Sequence, residues 1–159
     1  NEDIIRYCRD EFNLLIGERT AEEVKIAIGS ASPLRENLTI PVRGRDLVSG
    51  FPKEVIVNNE QVREAISRSI RIIVNNIKTV IEETPPELIS DIMYRGIILA
   101  GGGSLIRGLD KLIANQTEMP VRMMEDPLTA VVRGTGIVLE DLENMRDILV
   151  ENQYEKPFK

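Results

Sequence analysis

Three consecutive glycines, Gly101 to Gly103, follow a short apolar run and precede Ser104. The run predicts a buried strand, and Ser104 is the predicted N-cap of a helix that reaches about residue 116. Glycine lets a ligand approach the backbone, and free N–H groups at a helix start attract polar ligand groups. Either the turn binds a nucleotide or it only connects a strand to a helix, because it matches neither the Walker A loop nor GxGxxG.

Composition excludes several other chemistries. The 159 residues include no histidine, which removes the commonest general base and metal ligand. Cys8, the single cysteine, lies on the apolar stripe of the first predicted helix, so we expect a buried thiol rather than a reactive one. A net charge of -6 disfavours nucleic acid and anionic membrane surfaces as partners.

The sequence shows no membrane-spanning segment and no targeting signal. No apolar run approaches the roughly 20 residues that span a bilayer, and no signal peptide is visible. We therefore expect a cytoplasmic protein. The sequence opens on Asn1, inside a predicted helix, which is typical of a piece of a longer protein.

Before the glycine turn, the spacing of apolar residues predicts two helices, then a pair of strands, then two more helices. Helices are predicted over residues 3–16 and 21–28, the second opened by a Thr20–Glu23 capping box and closed by Gly29. Alternating apolar residues near 38–42 and 55–57 predict a small antiparallel unit, in which Pro41 indicates an edge strand. A long helix over 60–83, with an apolar stripe expected to cover a sheet, and a short helix over 87–93 follow.

The elements after the turn complete a βαβ unit. A strand is predicted over residues 120–124, then a helix with Asp126 as N-cap and Pro127 at its first position. Helix is also expected at the start of 139–150, and residues 151–159 form a polar tail. The order predicts an α/β fold with a parallel sheet, whose ligands collect at the carboxyl ends of the strands, where the glycine turn lies.

Several long motifs carry a family resemblance. They are ILAGGGSLIRGLD (98–110), TPPELISDI (84–92), EDPLTAVVRGTG (125–136), LIGERTAEEVK (15–25) and RGRDLVSGFP (43–52). Together they resemble the MreB family of bacterial actin homologues, in register up to about residue 147. The resemblance implies the second half of an actin-like ATPase fold (ribonuclease H-like), with subdomain IIA at 1–16 and 76–150 and a small inserted subdomain IIB at 17–75.

The resemblance also implies a nucleotide site. Its contacts fall on two segments: Glu22, Glu23, Val24, Lys25 and Ile26, and Gly101, Gly102, Gly103, Ser104 and Leu105. Glu22 would accept from a ribose hydroxyl, and Val24 with the Lys25 stem would cover the base. The alternative to nucleotide binding is that Glu22 and Lys25 form an ordinary i,i+3 ion pair on a solvent-exposed helix face.

The resemblance places the phosphate-binding and magnesium-positioning residues in the other half of the protein. ATP or ADP with Mg is therefore expected in the full-length protein, with weak or no nucleotide binding and no ATP hydrolysis by this chain alone.

The function implied is a cytoskeletal one. The family's filaments bind ATP, lie at the inner face of the cell membrane, and direct rod cell shape and wall synthesis. The expected partners are further copies of the protein and membrane-associated morphogenesis proteins, with membrane attachment through the other half. Loops 33–37 and 49–53 are either filament contacts or ordinary solvated loops. Alternatives are a sugar kinase or chaperone of the actin superfamily, and a nucleotide-independent interaction module.

Overall fold

The computed structural model describes residues 1–149. It contains eleven helices and strands, with short 3₁₀ turns at Gly102–Leu105 and Arg146–Ile148. In chain order they are α1 (Glu2–Phe12), β1 (Leu14–Leu15), α2 (Glu18–Ile28), β2 (Thr39–Asp46), β3 (Pro52–Asn58), α3 (Asn59–Glu83), α4 (Pro86–Arg95), β4 (Ile97–Leu99), α5 (Leu109–Thr117), β5 (Val121–Met123) and α6 (Ala130–Glu140). Within the described part, no helix is both long and apolar enough to cross a membrane.

Two separate sheets confirm the α/β prediction. The first is antiparallel with strand order β1-β2-β3, and β2 pairs with β3 from Thr39 opposite Asn58 to Arg45 opposite Pro52. The second consists of β4 and β5, which run parallel with Ile97 opposite Val121. The predicted parallel βαβ unit is therefore present, and the glycine turn follows the carboxyl end of β4.

One hydrophobic core joins the first sheet to the helices around it. Ile4, Cys8, Leu14, Val42 and Ile113 are almost completely buried in it, so the Cys8 thiol is buried as expected. Two side-chain contacts show that α1 and α3 run antiparallel. Tyr7 Oη donates to Glu64 Oε2 at 3.4 Å, and Ser69 Oγ donates to Asp3 Oδ2. The end of α1 therefore lies beside the start of α3.

The predicted boundaries of the first two helices are wrong. Helix α1 ends at Phe12, because Asn13 adopts a left-handed conformation with φ of 51° and the next two residues form β1. Helix α2 begins at Glu18, so Thr20 lies inside the helix and the Thr20–Glu23 capping box does not form. Gly29 ends α2 as predicted.

Strand β2 is the middle strand of its sheet, but at Pro41 it has the edge position that the sequence predicted. Strand β1 reaches only Arg45 and Asp46, so β2 is paired on one side alone at Pro41 within residues 1–149. Proline has no N–H to donate and is tolerated at that position for this reason.

Helix α3 begins where the sequence predicted, but only part of its apolar stripe is buried. Asn58 Oδ1 accepts from the Gln61 N–H and Gln61 Oε1 accepts from the Asn58 N–H, both at 2.9 Å, which forms a capping box. Burial continues to Val74, whereas Ile73 and Val80 are exposed. The expectation that the whole stripe is covered is therefore wrong at Ile73 and in the last turn of the helix at Val80.

The last predicted helix also begins later than expected. Helix α6 starts at Ala130, after Thr129, because Asp126 accepts a hydrogen bond from Thr129 Oγ1 at 2.5 Å and does not cap a helix at Pro127. The helix predicted from residue 139 continues only to Glu140 and resumes as the 3₁₀ turn. The predicted tail, residues 151–159, and residue 150 lie outside the described residues.

Candidate functional site

The glycine turn is a tight 3₁₀ turn rather than a helix start. Gly101 has φ of 82°, and its N–H donates to Pro127 O at 2.7 Å. Ser104 is buried, and its N–H and Oγ both donate to Gly101 O, at 3.1 and 2.6 Å. The N-cap prediction for Ser104 is wrong, because α5 begins only at Leu109, after Gly108. The Ser104 hydroxyl instead closes the turn.

The backbone of the turn faces open space. Gly102, Gly103 and Leu105 are exposed. A Cβ built on Gly101 or Gly103 would meet no atom within 4 Å. Gly101 needs glycine for its positive φ, but Gly103 does not, so the space beside Gly103 is available to a ligand rather than required by the fold. This geometry leaves room for a ligand against the main chain at Gly103.

Helix α2 carries the second predicted segment. Lys25 Nζ donates to Glu22 Oε2 at 2.7 Å, and this hydrogen bond holds the pKa of Glu22 below its usual range. Glu23 is exposed and pairs with Arg19, and Ile26 is exposed. Val24 has only 1% of its surface exposed and packs in the core, so its side chain cannot cover a base, and that part of the prediction is wrong.

Arg107, two residues beyond the predicted segment 101–105, contacts the end of α2. Its Nη1 donates to Ile26 O at 3.2 Å and Gly29 O at 3.4 Å, at the carbonyl end of α2. The Ala31 N–H donates to Arg107 O at 2.8 Å. A cation at a helix C-terminus is favoured by the helix dipole. The structure therefore holds the last turn of α2 against the chain just beyond the glycine turn.

Sequence reasoning missed this junction. Ser32 Oγ donates to Gly108 O at 3.1 Å, and Gly108 has φ of 73°. Arg107 and Gly108 lie within the motif at 98–110, but the sequence analysis assigned neither of them a contact with α2. The sequence offers only an indirect indication of this contact. A basic residue and a glycine follow the turn, and a basic side chain can donate to the free carbonyls at the end of another helix.

The two loops predicted as filament contacts are exposed and anchored. Asn59 holds the first, because its Oδ1 accepts from the Leu38 N–H and its Nδ2 donates to Glu36 O. The second lies at the end of the β2–β3 hairpin, where Phe51 is 72% exposed. Among residues 1–149, no three acidic or thiol side chains are grouped so that they could hold a metal ion.

Comparisons with known proteins give a consistent result. The family described as MreB/Mbl protein matches residues 1–147. The cell shape-determining protein Mbl of Bacillus subtilis is 44% identical over 143 residues, covering 90% of this chain and 43% of Mbl. The cell shape-determining protein MreB of Escherichia coli is 46% identical over 143 residues, covering 90% of this chain and 41% of that protein.

A solved structure is similar as well. MreB5 of Spiroplasma citri bound to ADP superposes with a TM-score of 0.86 at 37% identity, covering 92% of this chain and 44% of MreB5. The chain spans less than half the length of these relatives.

Proposed function

This chain belongs to the MreB/Mbl family and has part of an actin-like fold, and from that premise we propose that it forms one nucleotide-binding half of a filament-forming cytoskeletal ATPase. The adenosine part of ATP or ADP would lie between α2 and the glycine turn. The remaining phosphate and magnesium contacts would come from the part of the relatives' length that this chain does not span.

The junction at Arg107 carries the proposal. Glu22 and Lys25 lie on α2, whose last carbonyls accept from Arg107, and the exposed glycines lie a few residues before Arg107. These bonds join the last turn of α2 to the chain just after the glycine turn, which supports placing the two predicted segments on one surface. A polar surface built from a glycine backbone and a charged helix is suited to a nucleoside rather than to an apolar ligand.

The side chains of α2 suggest specific roles. Glu22 is ionised at neutral pH, as solvent-accessible glutamates are, and the hydrogen bond from Lys25 lowers its pKa further; its carboxylate oxygens can accept from a ribose hydroxyl. The aliphatic stem of Lys25 and the exposed Ile26 can contact the base. Glu23 borders this surface, and Val24 supports it from the core.

The cellular part of the proposal follows the family. The solved relative binds ADP, and its curated relatives are described as determinants of cell shape. We propose the same for the protein that contains this chain: ATP-dependent filaments at the inner face of the membrane that guide wall synthesis together with membrane-associated proteins. We propose, as the family resemblance implies, that the chain divides into IIA at 1–16 and 76–150 and IIB at 17–75; β4 and β5 fall in IIA and β2 and β3 in IIB, and β1 at the end of the first IIA segment pairs with β2.

A glycine substitution tests the nucleotide site. In a chimera that joins this chain to the unmatched part of Mbl, Gly103→Val would fill the space proposed for adenosine without a steric conflict in the fold. We expect at least a tenfold loss of ADP affinity, measured by titration calorimetry, with an unchanged melting temperature.

Gly134→Val is the matched control for this test, because Gly134 on α6 also faces open space. Equal ADP affinity in the two variants would disprove the site. Binding of a free sugar or of an unfolded peptide, in place of filament assembly, would favour the sugar-kinase or the chaperone alternative, respectively.

A further inference from the structure

The chain that follows β5 returns to the glycine turn. Strands β4 and β5 run parallel, so their carboxyl ends lie at the same edge, where the Met124 N–H donates to Leu99 O at 3.1 Å. The Gly101 N–H donates to Pro127 O at 2.7 Å, and Pro127 is buried. Residues 124–129, which we name the β5 loop, are therefore fastened against the glycine turn.

Leu128 is the apolar side chain that this loop presents to solvent. Its Cδ2 lies 3.2 Å from the position that a Cβ would have on Gly102, yet 67% of the residue is exposed. Asp126 accepts from Thr129 Oγ1, which closes the loop around Leu128. The isobutyl group is thus held against one side of the glycine turn while most of its surface stays open.

Leu128 stands next to the open backbone at Gly103. Gly102 and Gly103 are consecutive, so their Cα atoms are about 3.8 Å apart. A nucleoside is longer than this spacing, so one that rests on the Gly103 backbone lies within reach of a side chain packed on Gly102. Leu128 therefore borders the space in which the adenosine is proposed to lie.

The proposed nucleotide site needs apolar contacts for the base. Ligand sites cover flat apolar rings with apolar side chains and use polar groups to orient them. Val24, which the sequence predicted for this role, is buried in the core, and on α2 only the exposed Ile26 and the stem of Lys25 remain for it. Leu128 adds an apolar side chain on the side of the glycine turn.

We propose that Leu128 contacts the base of the nucleotide and that this contact favours a purine over a pyrimidine. A bicyclic purine covers more of an isobutyl group than a single ring does, and the free energy of apolar contact grows with the area removed from water. An isobutyl group has no hydrogen-bonding atom, so it recognises neither ribose nor phosphate. The proposal rests on the nucleotide site already proposed and adds to it a residue outside both predicted segments.

Truncation of this side chain tests the contact in the chimera with the unmatched part of Mbl. Leu128→Ala should lower the affinity for ADP about five- to tenfold in titration calorimetry and the affinity for UDP less than about twofold. The melting temperature should not change, because Leu128 is exposed. Leu128→Met keeps the apolar volume and should bind ADP within about twofold of the parent. Leu139→Ala is the matched control, since Leu139 is 63% exposed at the far end of α6, and it should change neither affinity.

Fluorescence reports the contact without a second ligand. This chain has no tryptophan, so Leu128→Trp adds one indole to its half of the chimera. A purine stacked on an indole quenches its emission. ADP should therefore quench Leu128→Trp, relative to the parent chimera, and leave Leu139→Trp unchanged. Full emission from Leu128→Trp with ADP bound would overturn the contact.

The outcomes separate this contact from the site as a whole. Unchanged ADP affinity in Leu128→Ala, with the loss in Gly103→Val retained, would overturn the contact and leave the site standing. An equal loss of affinity for ADP and UDP would mean that Leu128 only supports the turn, and would also overturn it. Unchanged ADP affinity in both Leu128→Ala and Gly103→Val would overturn the contact and the site together.

Discussion

Replacing Arg107 with alanine should loosen the end of α2 without unfolding the chain. The variant removes both guanidinium hydrogen bonds, to Ile26 O at 3.2 Å and to Gly29 O at 3.4 Å. It leaves the Arg107 carbonyl, which accepts from the Ala31 N–H, in place. The effect should therefore be local to the junction between α2 and the chain that follows the glycine turn.

The size of the effect follows from the two bonds and their exposure. A net hydrogen bond contributes about 0.5–1.5 kcal/mol, more when one partner is charged, and a cation at a helix C-terminus adds about 0.3–1 kcal/mol. Both bonds are long and Arg107 is exposed, so solvent screening reduces the sum. We expect a loss of about 1–2 kcal/mol, which corresponds to a roughly 5- to 30-fold change in the local opening equilibrium.

Amide hydrogen exchange measures this opening residue by residue. The Gly29 and Ala31 amides should exchange about 5 to 30 times faster in Arg107→Ala, whereas the amide of the buried Ile70 should keep its rate. Arg71→Ala, an exposed arginine on α3, is the control and should change neither. Unchanged exchange at Ala31 in Arg107→Ala would refute the role given to this junction.

Three further predictions concern stability and ionisation. Gly96→Ala should lower the melting temperature by about 4–8 °C, because φ is 79° and a Cβ would lie 2.5 Å from Pro120 O, a cost of at least about 2 kcal/mol. Burial raises the pKa of the Cys8 thiol, so a thiol reagent at pH 8 should label the native chain far more slowly than the urea-unfolded chain; equal rates would contradict this. The hydrogen bond from Ser49 holds the pKa of Asp46 below its usual value of about 3.9, so its contribution to hairpin stability should persist above that pH and be lost as pH falls through the lowered pKa. Carboxyl carbon shifts in NMR would check this, and a midpoint at or above 3.9 would contradict it.

Local rules predicted the elements that depend on neighbouring residues. The start of α3 follows from Asn58 and Gln61, and the end of α2 follows from Gly29. The β2–β3 hairpin follows from alternation around a turn with Gly50. In each case the deciding atoms lie within a few residues of one another, so periodicity and capping chemistry are sufficient.

Contacts between distant parts of the chain decided the rest. Leu15 continues the helical stripe predicted for residues 3–16, but the pairing of Leu14 with Asp46 and of Leu15 with Arg45, about 30 residues away, makes these two residues a strand. The candidate site shows the same division. Its glycines were recognisable, whereas Arg107 acquires its role only when α2 packs beside it. No pattern within one segment reports the position of another segment.

Helix α3 packs against the core along only part of its length. One face of its first four turns is buried, including Ile70 and Val74. Val80, near the end of the helix, is exposed. Because the free energy of local opening falls as packing is lost, a protease should nick the chain first in these last turns. Digestion would then spare the stretch from α1 to the middle of α3.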